Sequence, residues 1–174
     1  IAMHQNKGRS LQKCLKDRTD YAQNPEKTDG GELVSSYRCD PEFVEEQFAA
    51  SKQEYLEITG RKIVGDIIAY QIRQSFKPGE ITPEEANKIG YETAMRWTKG
   101  EHAFIVATHI DRAHIHNHII YNSTALSCDR KFRNFLFCGV ALQKVSDLVC
   151  LENGLSVIEP LKPGQRVKRT EYPD

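Results

Sequence analysis

The sequence is sparing in cysteine and contains no long hydrophobic run. Its five cysteines are odd in number, widely spaced and never arranged as C-x-x-C, so the sequence predicts neither a disulfide framework nor a zinc–cysteine site. No apolar stretch approaches the roughly 20 residues that cross a bilayer, and the opening IAMHQNKG lacks the charged-then-apolar pattern of a secretory signal. We therefore expect a soluble, cytoplasmic protein with no membrane insertion.

An excess of basic residues is also missing, since Lys+Arg and Asp+Glu number 24 each. Proteins that bind nucleic acid usually carry such an excess, so any binding of this kind would depend on local clusters. Basic residues do cluster at 7–18, 130–133 and 162–169. Each cluster taken alone is typical of a solvated face.

The length of the chain and its even composition indicate a single domain. The 174 residues suffice for one hydrophobic core, and the sequence shows no internal repeat and no low-complexity tract. We predict one continuous domain over residues 1–160 and a polar tail over residues 161–174.

Periodicity and turn residues predict a mixture of helices and strands. The capping box Thr82-Pro83-Glu84-Glu85 begins the clearest helix, and Lys99-Gly100 ends it. Other helices are expected over 11–21, after Asp40-Pro41 and over 140–151, and strands over 1–3, before Asp40, and over 67–76, 103–109 and 115–121. The last two strands form a predicted hairpin. This order predicts an α+β fold, with an antiparallel-rich central sheet and helices packed mainly on one face.

The most informative segment is HIDRAHIHNHIIYN, residues 109–122, which holds four of the six histidines. Side chains at i and i+2 of a strand share a face, so His116 and His118 point the same way, with Asn122 further along. His109, at the end of the preceding strand, can add a third imidazole across the hairpin. Three neutral imidazoles suit a catalytic divalent ion, with Mn²⁺, Zn²⁺, Ni²⁺ or Co²⁺ compatible as well as Mg²⁺.

Blander interpretations of these residues exist. Histidines can be ordinary polar residues on an exposed strand face, although three in a convergent pattern favour a metal site. His114 and His116 form an alternative H-x-H pair, so His114 also remains a candidate. Asp111 either holds a ligand imidazole or is a turn aspartate, and the sequence does not distinguish these roles.

The same segment closely resembles the third motif of conjugative relaxases of the MOB-P class, members of the HUH endonuclease superfamily. In that motif a histidine is followed by an aspartate two residues on, by an H-x-H pair seven and nine residues on, and then by an asparagine. The matching positions are His109, Asp111, His116, His118 and Asn122. The resemblance implies that the three histidines bind the metal, Mn²⁺ or Mg²⁺ above all. Asn117 departs from the family, which usually has a hydrophobic residue there.

Two further segments carry the resemblance. Asp20-Tyr21-Ala22 is similar to the first motif, whose tyrosine is the nucleophile. The stretch Gln74-Ser75-Phe76-Lys77-Pro78-Gly79-Glu80 is similar to the second motif, whose serine at the end of a strand contacts DNA near the nick. The stretches NPEKT, GELVSSY and LENGLS resemble relaxases of integrative and conjugative elements of Gram-positive bacteria. The resemblance thus implies an HUH-like fold, a bacterial cytoplasmic location and a further C-terminal region beyond the tail.

The implied activity is metal-dependent nicking of one DNA strand at an origin of transfer. Attack by Tyr21 would leave a 5′-phosphotyrosine and a free 3′-OH, and the reverse reaction would rejoin the strand after transfer. Implied partners are single-stranded or hairpin DNA at the origin, an accessory DNA-binding protein and a coupling protein.

DNA contacts beyond the active site are expected from two places. Ser75 and Lys77 lie in the second motif, and the segment containing Arg130, Lys131 and Arg133 interleaves cations with Phe132 and Phe135. Cations and aromatic rings together favour backbone contact and base stacking on single-stranded DNA. An ordinary amphipathic turn explains this segment nearly as well.

Three other functions compete with this hypothesis. A rolling-circle replication initiator uses the same chemistry, but such proteins generally place the nucleophile after the histidine pair, whereas Tyr21 precedes it. A non-catalytic metal-binding or DNA-binding module would lack covalent attachment to DNA. A metallohydrolase of small substrates usually needs carboxylate ligands, which the sequence does not place here.

Overall fold

The computed structural model describes residues 2–5 and 11–159. The strands are β1 (Ala2–Gln5), β2 (Val34–Tyr37), β3 (Ala69–Ser75), β4 (Phe104–His109) and β5 (His116–Asn122). The helices are α1 (Leu11–Ala22), α2 (Val44–Thr59), α3 (Pro83–Thr98) and α4 (Cys138–Glu152), with a 3-10 turn at Pro41–Phe43 before α2. The predicted elements are confirmed, with ends shifted by a residue or two. The predicted polar tail and the basic cluster at 162–169 lie outside the described residues.

Local chemistry explains where the clearest helix begins and ends. Thr82 accepts a hydrogen bond from the Glu85 backbone N–H, and the Glu85 carboxylate accepts one from the Thr82 N–H, so the predicted capping box forms. Lys99 adopts a left-handed conformation that ends α3. These contacts fix the two ends of the helix that covers one side of the sheet.

The five strands form one antiparallel sheet in the order β1-β3-β5-β4-β2. The predicted hairpin is confirmed, since β4 pairs with β5 and His109 lies opposite His116. The α+β class and the antiparallel central sheet are therefore confirmed. The long pairing of β5 with β3 and β4 makes β5 the central strand.

The structure corrects one detail of the predicted architecture, because the helices divide between the two faces of the sheet. Leu15 of α1 and Phe48 of α2 join the same cluster as Ile120. Ala94 of α3 and Leu142 of α4 join the cluster of Ile119, on the opposite face. Both faces of β4 and β5 are buried, so a one-sided arrangement would expose an apolar face.

A buried polar network lies behind β5, on the side of α3. The Asn117 amide donates to Gln74 Oε1 (3.1 Å) and to the Ala86 carbonyl (2.7 Å), and its oxygen accepts from Thr108 Oγ1 (2.6 Å). A Cβ on Gly90 would lie 2.5 Å from the Asn117 amide nitrogen, so a glycine is required for α3 to approach this closely. Asn117 can therefore replace a hydrophobic residue here, because both polar atoms of its side chain have hydrogen-bond partners.

Within the described residues, no helix is long and apolar enough to cross a membrane.

Candidate metal centre and active site

The β4–β5 hairpin brings three histidines together on one face of the sheet. His109 ends β4 and lies opposite His116, while His118 follows two residues later on the same face. All three are buried, and one ring nitrogen from each lies within 4.8 Å of the others. His114 lies outside this group, with its ring centroid 5.5 Å from that of His116.

Two ring nitrogens of the triad are buried and have no hydrogen-bond partner among the residues that the structure describes. The Nε2–H of His109 donates to the Ala22 carbonyl (2.7 Å), so Nδ1 carries the lone pair and is the first of these two nitrogens. His118 Nδ1 lies 2.7 Å from the Gln71 side-chain amide, and His118 Nε2 is the second. Orphaned buried nitrogens are costly, and a metal ion would satisfy them.

The electrostatics of the site also fit a cation-binding role. Burial, followed by the charge of His109, lowers the pKa of His116 to about 4, and burial lowers the pKa of His118 to about 3. Burial likewise lowers the pKa of His109. Neutral imidazoles at physiological pH present lone pairs, as a metal ligand must. The three residues therefore fit a divalent ion held by nitrogen ligands.

Tyr21 lies directly in front of the triad. Its ring meets those of His109 and His118 edge-on, with centroid separations of 5.7 and 5.8 Å. The next residue, Ala22, is the one whose carbonyl accepts from His109, so this hydrogen bond ties the end of α1 to the triad. Tyr21 remains 48% exposed, which leaves its hydroxyl accessible to a substrate.

Lys27 lies at this site and, like Gln71, was not predicted from the sequence. Its Nζ lies 3.3 Å from the Tyr21 hydroxyl oxygen and 4.3 Å from the centre of the tyrosine ring. The same nitrogen forms an ion pair with Asp111 (3.3 Å). Burial acts to raise the pKa of the Asp111 carboxyl, but the hydrogen bond and charge of Lys27 contribute to a net lowering. Lys27 lies within the NPEKT segment, but nothing in its spacing from Tyr21 indicated a contact.

The other predicted site residues lie in different surroundings. Asn122 hydrogen-bonds to Ser51 of α2 and to the Thr124 backbone, so its side chain joins β5 to α2. Asn122 lies four positions after His118 along β5, roughly 13 Å at the usual rise, so it does not join the triad. Ser75, opposite His116, and Lys77 are both exposed near the histidine end of the sheet.

The predicted DNA contacts of the 130–133 segment are corrected in part. Lys131 is largely buried and pairs with Asp66 (3.1 Å), so it neutralises an internal carboxylate and is not free for DNA. Phe132 packs against Tyr70 and belongs to the core periphery. Arg130 is exposed beside Glu101, and Arg133 is exposed, so these two remain available.

The fold is α+β with an antiparallel sheet, adjacent strands carry a histidine triad, and a tyrosine faces the triad. This arrangement corresponds to the HUH-type nuclease class. A family model described as "Relaxase: MobA/VirD2-like, nuclease domain" matches residues 21–155. The chain belongs to this family. The match begins at Tyr21 and includes the whole histidine hairpin.

Relatives with relaxase names support the assignment. A protein named Rlx from Staphylococcus aureus is 36% identical over 128 residues, covering 74% of this chain and 38% of the relative. The group II intron-interrupted relaxase LtrB from Lactococcus lactis subsp. cremoris is 35% identical over 120 residues, covering 61% of this chain and 21% of the relative. The chain thus spans well under half the length of these relatives.

Proposed function

We propose that this chain is the endonuclease domain of a conjugative relaxase, with Tyr21 as the nucleophile that nicks one DNA strand at an origin of transfer. The position of the Tyr21 ring, edge-on to His109 and His118, carries this proposal. The Tyr21 side chain is about half exposed, and the imidazoles behind it would supply a place for a cation next to the reacting phosphate. Membership of the relaxase nuclease family supports the same activity.

The proposed reaction transfers a phosphodiester from the DNA to the protein. The Tyr21 oxygen forms a bond to phosphorus, the bond to the 3′ oxygen breaks, the phenol loses its proton and the 3′ oxygen gains one. His109 Nδ1, His116 and His118 Nε2 would hold a divalent ion, which supplies charge neutralisation at the non-bridging phosphate oxygens when bound. We favour Mn²⁺ or Mg²⁺, with Zn²⁺, Ni²⁺ or Co²⁺ as alternatives.

The product keeps the energy of the cleaved bond, so the 3′-OH can attack the phosphotyrosine and rejoin the strand. This reversal suits a strand that is recircularised after transfer.

We further propose that residues 1–160 act as one domain, that single-stranded or hairpin DNA is the substrate, and that the bacterial cytoplasm is the location. An accessory DNA-binding protein and a coupling protein are the proposed partners.

A covalent-attachment assay tests the proposal. Labelled single-stranded oligonucleotides tiled across the DNA beside the gene are incubated with Mn²⁺ and either the unaltered protein, Tyr21→Phe or Tyr91→Phe, and are separated on denaturing gels. Tyr91 is a matched control because it lies on α3, which packs on the opposite face of the sheet. We expect an adduct on one oligonucleotide that persists in Tyr91→Phe and disappears in Tyr21→Phe and with a chelator.

Each other outcome would contradict a different part of the proposal. An adduct that survives in Tyr21→Phe would place the nucleophile elsewhere, and one that survives the chelator would remove the metal from the reaction. No adduct on any oligonucleotide, with DNA binding retained, would favour a non-catalytic binding module.

A further inference from the structure

The Tyr21 hydroxyl belongs to a chain of three polar side chains. Lys27 Nζ lies 3.3 Å from the Tyr21 oxygen and 3.3 Å from Asp111 Oδ2. The side chains of Lys27 and Asp111 are 20% and 27% exposed, so the pair is partly withdrawn from solvent. The ammonium thus lies between the attacking oxygen and a carboxylate.

The chemistry of lysine determines the direction of these contacts. An ammonium group has three N–H donors and no acceptor, so it donates to the Tyr21 oxygen and cannot accept its proton. Donation uses a lone pair of the tyrosine oxygen, and the hydroxyl hydrogen must therefore point away from Lys27. Lys27 is accordingly placed as a fixed positive charge and not as a general base.

Main-chain hydrogen bonds hold the loop that carries Lys27. The Ile110 N–H donates to the Lys27 carbonyl (2.9 Å), and the Thr108 N–H donates to the Leu33 carbonyl (2.9 Å), so backbone bonds tie the loop after α1 to β4. Thr28 Oγ1 also donates to the Asn24 carbonyl (3.0 Å) within the loop. These contacts already anchor the loop to β4. The contact between the Lys27 ammonium and the Tyr21 hydroxyl is therefore not needed for anchoring, and we look for a chemical role.

We propose that Lys27 is a catalytic residue that stabilises negative charge on the Tyr21 oxygen in both directions of the proposed reaction. During nicking, the oxygen carries charge as its proton departs and the bond to phosphorus forms. During rejoining, the 3′ oxygen bonds to phosphorus, the tyrosine oxygen leaves with the electron pair, and a nearby cation favours that departure. This inference rests on Tyr21 being the nucleophile.

Asp111 has a different role in the same arrangement. It touches Lys27 and, being held by that ammonium, acts on Tyr21 through it. We therefore assign Asp111 as a positioning residue that keeps the ammonium over the tyrosine. Removing Asp111 after Lys27 has been removed should have no additional effect, because the residue it positions is gone.

The first test measures rates of adduct formation and of rejoining, at saturating Mn²⁺, on the oligonucleotide identified by tiling. We expect Lys27→Met to slow both rates by about 100-fold, in the range found when one donor to a developing oxyanion is removed. Lys27→Arg, which keeps the charge, should recover part of the loss. Asp111→Asn should slow the reaction less, and Asp111→Asn combined with Lys27→Met should match Lys27→Met alone. Lys88→Met, an exposed change on α3, is the matched control and should react normally.

The second test needs neither DNA nor metal. In protein labelled with ¹³C at the tyrosine ζ carbon, Tyr21→Phe assigns one of the seven tyrosine resonances. Lys27→Met should shift that resonance and leave the other six in place, whereas Lys88→Met should shift none. An unmoved Tyr21 resonance would overturn the proposed contact.

The outcomes separate the two proposals. If the unaltered protein forms the adduct and Lys27→Met does so within twofold of its rate, Lys27 is not catalytic although Tyr21 can still be the nucleophile. If the unaltered protein forms no adduct on any oligonucleotide, the proposed function fails and the role of Lys27 fails with it.

Discussion

Replacing Asn117 by leucine would restore the hydrophobic residue usual at this position in the family, and we expect it to destabilise this protein. Asn117 is fully buried. It lies between His116 and His118 in the sequence, but its side chain is on the opposite face of β5. Its amide N–H groups donate to Gln74 Oε1 and to the Ala86 carbonyl, and its amide oxygen accepts a hydrogen bond from the Thr108 hydroxyl. A leucine side chain of similar size provides none of these bonds.

The structure indicates the size of the loss. Leaving a buried polar group without its partner costs about 1–3 kcal/mol. Gln74 Oε1 would lose this bond, while Gln74 Nε2 would keep its bonds to Thr93 and Ser146. Thr108 would lose its acceptor but could still accept from Asn87. Because some partners stay partly satisfied, we expect the free energy of unfolding to fall by about 2–4 kcal/mol.

Urea denaturation of the metal-free protein measures this change. The matched control is Asn134→Leu, at an exposed position in the loop before α4, which should alter the free energy of unfolding by about 0.5 kcal/mol or less. Stability of Asn117→Leu equal to or above that of the unaltered protein would refute the reasoning. It would mean that α3 and β5 repack around a leucine despite their close approach at Gly90.

Two further predictions concern the titration of the buried histidines and the roles of Lys131 and Arg133. Because the pKa values of His116 (about 4) and His118 (about 3) lie below the ordinary 6.5, the unfolded state binds more protons, and the metal-free protein should lose stability as pH falls below 6.5. The free energies of unfolding measured by urea denaturation at pH 7 and pH 5 should differ by on the order of 4 kcal/mol, about 2 kcal/mol for each imidazole, and a flat profile would contradict the burial of the imidazoles. Lys131→Met should lower the free energy of unfolding, because it removes the nearer of the two lysines that pair with Asp66 and leaves only Lys52, while the salt dependence of DNA binding stays unchanged. Arg133→Met should keep the stability and reduce the salt slope of DNA binding by about 1. The opposite pattern in salt titrations of DNA binding would restore Lys131 as a phosphate contact.

The sequence by itself determined the local features of this protein. Capping residues, turn residues and β-branched runs act over a few positions, so the helices, the strands and the β4–β5 hairpin could be predicted from them. Alternation along β5 places His116 and His118 on one face, and a hairpin partner brings His109 to them. The triad therefore follows from short-range rules, and the likeness of Tyr21 to a family motif supplied the candidate nucleophile.

Only the tertiary structure decided which distant side chains meet. The contact of Tyr21 with the triad depends on how α1 packs against the sheet, and the approach of Lys27 depends on the path of the loop after α1. The partner of Lys131 is Asp66, 65 positions away, and no periodicity relates the two. The split of helices between both faces likewise arises because a central strand with two apolar faces must be covered twice. Such contacts depend on the packing of whole elements, a property that no short stretch of sequence contains.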